Sequence, residues 1–251
     1  MKQTILFLFN SSLYAPQPWL DDGRYNCVSV DYDETDHSGQ HRPLQDHPRH
    51  WRLNVDLSRG WVAFDEINEL CGAYGLAWPS LVVSFAPCTD LAGSGAKHFA
   101  KKALKDPQFQ ERAVEQAQLA TLWECPYVVE NPVGRLSTLW RKPNVYVHPS
   151  DFGGLCPAGP HPEFPDVIPE RDAYNKKTGL WWGQGFNAPQ KDPVEVIEGA
   201  NPGWAKLGGK SARTKYIRSL TPRGLAKAIY LANRGERPEE TVVECQLELD
   251  L

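Results

Sequence analysis

Apolar residues in this chain fall in short runs separated by amphipathic or polar stretches, an alternation that predicts buried strands with helices packed on them. Thr4 to Phe9 predicts a first strand and Asn26 to Val30 a second. His37 to Trp51 is polar, with histidines at 37, 41, 47 and 50, and predicts a solvated loop. That histidine spacing fits no standard zinc pattern. Trp61 to Tyr74 repeats apolar residues at helical period through Trp61, Phe64, Ile67 and Leu70, and Gly75 supplies a stop. Leu81 to Ala86 and Tyr127 to Val129 are further buried-strand runs. Asp106 to Glu124 is the clearest helix, with Phe109, Ala113, Ala117, Leu119 and Ala120 set among charges.

Beyond Asn131 the chain turns Pro- and Gly-rich, which predicts an extended or looped insertion at about 141–172. His148, Cys156 and His161 lie in it at irregular spacing, so a structural loop is expected there rather than a metal site. Lys176 to Trp182 then predicts a strand entered from a basic turn. Lys210 to Pro222 is the most basic segment, with Arg213, Lys215 and Arg218. Thr221 is placed as the N-cap, and Pro222 as the first residue, of a helix running to Asn233.

Composition narrows the class. A chain of 251 residues with 41% hydrophobic content and nine each of Trp, Tyr and Phe suits one α/β domain, a mostly parallel sheet flanked by helices. The net charge of −4 gives no global attraction to nucleic acid, so polynucleotide contact would rest on local basic patches. The six cysteines (27, 71, 88, 125, 156 and 245) show no CxxC pair. No run approaches the ~20 apolar residues needed to span a bilayer. A cytoplasmic, reduced protein is expected.

The candidate chemistry lies at two strand ends. Leu81 to Ala86 stops at Pro87-Cys88, and Tyr127 to Val129 runs into Glu130-Asn131-Pro132. A thiol and a carboxylate at the rim of a sheet are where an open α/β fold works, and together they can activate a pyrimidine by covalent addition. A lone cysteine after a strand is more often a small buried hydrophobe. Glu130 is what raises Cys88 above that reading. The lysines at 97, 101, 102 and 105 follow the thiol and suit either a mobile flap touching phosphate or a solvated helix face.

The order of these motifs over residues 4 to 182 resembles the DNA cytosine-5 methyltransferases, especially short phage-type relatives, with a looser echo at 218–233. Pro87-Cys88 resembles the family's nucleophile motif and Glu130-Asn131 its Glu-Asn motif. Val28 to Asp31 resembles the strand whose terminal acid binds the ribose of S-adenosylmethionine, and Asn54 to Asp56 the next strand, whose Asp lies near the adenine. The resemblance implies a Rossmann-like methyltransferase fold with Cys88 and Glu130 as catalytic residues. It implies Phe9, Asn10, Ser11, Asp31, Asp56 and Pro87 at the cofactor, and Asn131, Lys97, Lys177, Arg213 and Arg218 at the substrate. Cys88 would add to carbon 6 of cytosine while Glu130 serves ring nitrogen 3, so that carbon 5 takes the methyl group.

One departure stands out. The first strand runs into Asn10-Ser11-Ser12-Leu13-Tyr14 where the family has a glycine-rich turn, and either weak cofactor binding or a pocket partly filled by Leu13 or Tyr14 is expected. About 27 residues separate Trp182 from Lys210, too few for an independent target-recognition domain. Target recognition would come from loops or a protein partner. Three activities stay open: methyl transfer to cytosine in DNA, modification of a free cytosine nucleotide or with another donor, and silent binding of nucleic acid or protein.

Overall fold

The computed structural model describes residues 2–33, 42–44, 47–196 and 211–235. His37, His41, Lys210 and Cys245 lie outside the described residues. Eight strands form one sheet: β1 (Gln3–Leu8), β2 (Tyr25–Asp31), β3 (Arg42–Leu44), β4 (His47–Asn54), β5 (Pro79–Ser84), β6 (Tyr127–Pro132), β7 (Val145–Val147) and β8 (Thr178–Gly183). Their spatial order is β3-β4-β2-β1-β5-β6-β8-β7.

The central strands β4, β2, β1, β5 and β6 are mutually parallel, while β3 and β8 run against their neighbours. The chain steps outward from β1 to β2 and β4, then returns to the other side of β1 as β5. That reversal makes the carboxyl ends of β1 and β5 the crevice of a doubly wound, Rossmann-like sheet.

Alternation along β1 explains the two-sided core. Leu6 and Leu8 face a cluster with Val28, Val30, Leu53, Val82 and Val129, covered by α2 (Trp61–Ala73) and α4 (Phe109–Gln118). Ile5 and Phe7 face Cys27, Leu81, Val83 and Val128, covered by α1 (Gln17–Asp22) and α7 (Arg223–Asn233). Both faces of β1 are therefore buried, which is why its sequence is continuously apolar.

Several local expectations change. The polar segment 37–51 assigned to a loop contains β3 and the first part of β4, which pairs with β2 from Cys27↔His50 to Asp31↔Asn54. Its His50 is fully buried and bonded to Ser29 Oγ at 2.8 Å. The long helix expected at 106–124 is α4 followed by a 3-10 turn, Leu119–Trp123. The segment after Cys88 is a 3-10 turn, Gly93–His98, leading into α3 (Phe99–Lys105).

The Pro/Gly-rich insertion supplies β7 and a short 3-10 segment, Pro149–Leu155, whose Phe152 is fully buried. A short α5 (Leu136–Leu139) precedes it. The basic segment before α7 is itself a helix, α6 (Ala212–Ser219), capped by Ser211. Ile217 and Leu220 pack on Ile168 and Tyr174 of the insertion. Helix α7 has Pro222 at its N-cap, and the Thr221 hydroxyl is buried without a partner, so Thr221 does not cap it.

Candidate functional site

Two cavities meet at the carboxyl end of β1. Phe9 lines one and Asn10 the other, so the step between these residues separates them. Phe9 itself adopts a left-handed backbone, φ 55°, a conformation rare for a bulky residue. The chain thus bends sharply just after β1, with the phenyl ring as a cavity wall.

The first cavity, about 150 Å³, brings Cys88 and Glu130 together with Phe9, Pro87, Lys176 and Arg218. Cys88 follows β5 and Glu130 lies in β6, so adjacent parallel strands deliver both groups to one rim. Burial pushes the Cys88 thiol up, and the Glu130 carboxylate pushes it further; Lys176 and Arg218 pull it back down. One Glu130 oxygen accepts a hydrogen bond from the Thr178 hydroxyl of β8, its register neighbour across Pro132↔Thr178 and Glu130↔Leu180. Arg218 to Pro222, the link between α6 and α7, closes the opposite wall.

The backbone around the thiol is clamped. Ala92 and Gly134 form an isolated bridge, Gly93 N–H donates to the Val133 carbonyl at 3.0 Å, and Arg135 N–H donates to the Leu91 carbonyl at 2.7 Å. Gly134 is required there, because a Cβ would lie 2.0 Å from the Leu91 oxygen.

The second cavity, about 200 Å³, opens at the ends of β1, β2 and β4 and is lined by Asn10, Ser11, Asp31, Asp33, Arg52 and Asn54 among others. Burial raises the Asp31 carboxyl, while the Tyr32 N–H, the Ser11 hydroxyl and Arg52 lower it and Asp33 raises it. Beneath lies a polar chain in which Asn10 Nδ2 donates to Ser29 Oγ at 3.0 Å and Ser29 Oγ meets His50. Burial, with Arg52 and His47 nearby, pushes His50 down to about 3. A carboxylate at the end of β2, flanked by short polar side chains, can accept hydrogen bonds from the hydroxyls of a ribose. Larger hollows of about 480 and 730 Å³ lie around Gln190 and Trp61, and neither holds a thiol.

The remaining expected residues distribute unevenly. Phe9 and Pro87, expected at the cofactor, line the thiol cavity instead. Asp56 lies outside the Asp31 cavity and caps a 3-10 turn, accepting from Ser58 N–H at 3.0 Å and Ser58 Oγ at 2.6 Å. Asn131 is fully buried and donates to the Ala86 carbonyl at 2.8 Å. Lys177 sits over the Tyr146 ring, and the adjacent Lys176 takes the place in the cavity. Arg213 stacks over Phe164, and Lys97 is exposed on the 3-10 turn after the thiol. Neither Leu13 nor Tyr14 lines the Asp31 cavity; Tyr14 turns away to bond Glu163 at 2.5 Å.

Sequence reasoning missed Arg52 and Lys176. Arg52 was hidden by the loop assignment of its strand. Lys176 stood beside Lys177 with nothing in the sequence to separate them.

Comparison of the chain with protein-family models finds none that matches, and comparison with curated proteins finds no match. Among the described residues no helix is long and apolar enough to cross a membrane, and no cluster of His, Cys, Asp and Glu is arranged to hold a metal ion.

Proposed function

We propose that this chain modifies carbon 5 of cytosine in DNA by methyl transfer through a covalent Cys88 adduct, with S-adenosylmethionine as the methyl donor. The observation that carries the reading is the shared cavity of Cys88 and Glu130 at the ends of adjacent parallel strands, beside a second cavity holding Asp31. The cofactor, when bound, supplies an electrophilic sulfonium methyl group. Asp31 is the residue that would accept hydrogen bonds from its ribose hydroxyls.

The chain's own residues account for the activation. Addition of the Cys88 sulfur to ring carbon 6 breaks the 5,6 double bond, and its electron pair passes to carbon 5. Glu130, oriented by Thr178 through one oxygen, uses the other to serve ring nitrogen 3. Lys176 and Arg218 favour the thiolate that must attack. After alkylation, a base takes the carbon 5 proton, the C–H pair re-forms the 5,6 double bond, and Cys88 leaves as thiolate with the C–S pair. Within a duplex both ring atoms are hidden, so the base must leave the stack to reach the cavity.

A second reading, the same chemistry on a free cytosine nucleotide, is supported by the two cations beside the thiol, where one phosphate finds opposite charge. Incubation with S-adenosylmethionine and either cytosine-containing DNA or dCMP, followed by nucleoside mass spectrometry, tests both. Methylated cytosine only from DNA supports the first reading, and only from dCMP the second. Product from Cys88→Ser protein equal to that of the wild type would remove the covalent mechanism.

A further inference from the structure

We infer that Arg52 is the anion-holding residue of the Asp31 cavity, and that it grips the carboxylate of an S-adenosyl amino acid in place of the backbone amides of a glycine-rich turn. The inference rests on the cofactor reading above.

The turn after β1 does not offer its first donor to a ligand. The Asn10 N–H donates to the Val30 carbonyl at 3.2 Å, and Asn10 Nδ2 serves the Ser12 carbonyl at 2.9 Å and Ser29 Oγ at 3.0 Å. The Ser11 carbonyl, meanwhile, accepts from an Arg52 Nη2. The Ser11 carbonyl is thereby occupied by Arg52, and the Ser11 hydroxyl by Asp31.

Arg52 supplies positive charge there. It sits on β4 opposite Ser29 of β2, two residues before the strand ends, and its side chain reaches back across β2 to the turn. Arg52 is also close enough to Asp31 to favour its carboxylate form. Among the described lining residues it is the single cation, whereas Asp31 and Asp33 repel negative charge. A guanidinium carries five N–H donors in a planar fork that matches a carboxylate, and the Ser11 carbonyl holds it at one nitrogen. Asp31 and Arg52 thus divide the ligand between them, hydroxyls to the first and carboxylate to the second.

Calorimetry with two ligands tests this division. S-adenosylhomocysteine carries the amino-acid tail, and 5′-methylthioadenosine keeps the same adenosine and sulfur without it. The wild-type chain is expected to bind the first at least about 10-fold more tightly. Arg52→Ala should weaken S-adenosylhomocysteine by about 10- to 100-fold, the range for a hydrogen bond to a charged group, while leaving methylthioadenosine within about 2-fold. Arg52→Lys, which keeps the charge without the fork, should fall between, and it guards against a folding defect in the alanine variant. Unchanged S-adenosylhomocysteine affinity in Arg52→Ala, or equal weakening of both ligands in both variants, overturns the role of Arg52 and leaves the cofactor reading standing. Binding of neither ligand by the wild type overturns both.

Discussion

The side-chain amide of Asn131 donates to the main-chain carbonyl of Ala86 at 2.8 Å, joining the end of β6 to the segment that delivers Cys88. Cys88 lies two positions after Ala86, and Glu130 is the immediate neighbour of Asn131. This bond therefore fixes the spacing between the two reactive groups through the backbone rather than through either side chain.

Asn131→Ala should destabilise the fold by about 1–3 kcal/mol, because the carbonyl loses its partner in a buried setting. Chemical denaturation measures the loss. Turnover should fall together with stability, and addition of excess substrate should not restore it, since the defect lies in group spacing.

The reactivity of Cys88 should follow the signs of its neighbours. Its rate of alkylation by iodoacetamide, followed by peptide mass mapping, should rise with pH and reach its midpoint above the ordinary cysteine range. Lys176→Ala and Arg218→Ala should move that midpoint higher still, because each removes a cation that favours the thiolate. Glu130→Gln should move it lower. A midpoint unmoved by all three variants would place these groups too far from the sulfur to matter.

His50 makes the fold acid-sensitive. Its folded-state value of about 3 lies below the unfolded value near 6.5, so between them the unfolded chain binds a proton that the native chain does not. Stability should be fully present above pH ~6.5 and should fall by up to about 1.4 kcal/mol per pH unit below it. Urea unfolding at pH 7, 6 and 5 should show this slope in the wild type and a shallower one in His50→Gln.

Gly134→Ala places a methyl group against the Leu91 carbonyl, a backbone atom that cannot rotate aside. The variant should lose about 1–3 kcal/mol, as overpacked sites do. Its Cys88 alkylation rate should also change, because the Ala92–Gly134 bridge adjoins the thiol segment.

The strands read most easily from the sequence are those buried on both faces. Ile5 to Leu8 and Leu81 to Val83 are continuously apolar because helices cover the sheet on both sides. β4 escaped because one of its two buried members, His50, is a polar residue satisfied by Ser29, and that partnership exists only once β2 and β4 pair. α6 escaped for a related reason: Thr214, Ile217 and Leu220 form its buried side at helical spacing, but the cations between them dominate the pattern. Cys88 and Glu130 were legible because strand ends carry them. The choice of Lys176 over Lys177 was not, since side chains alternate direction at the entry to a strand and one residue of register decides which lysine faces the cavity.

The wall built by Arg218 to Pro222 also sets when the thiol site can exist. A ribosome makes Phe9, then Cys88, then Glu130, and only much later the link between α6 and α7. Until that link emerges and docks, with Ile217 and Leu220 seated on the insertion, the thiol lacks its Arg218 neighbour and the cavity lacks a side. A chain ending before α7 would carry Cys88 and Glu130 with that wall missing and one face of the sheet uncovered. Docking of the last helices is thus the final step in assembling the cavity.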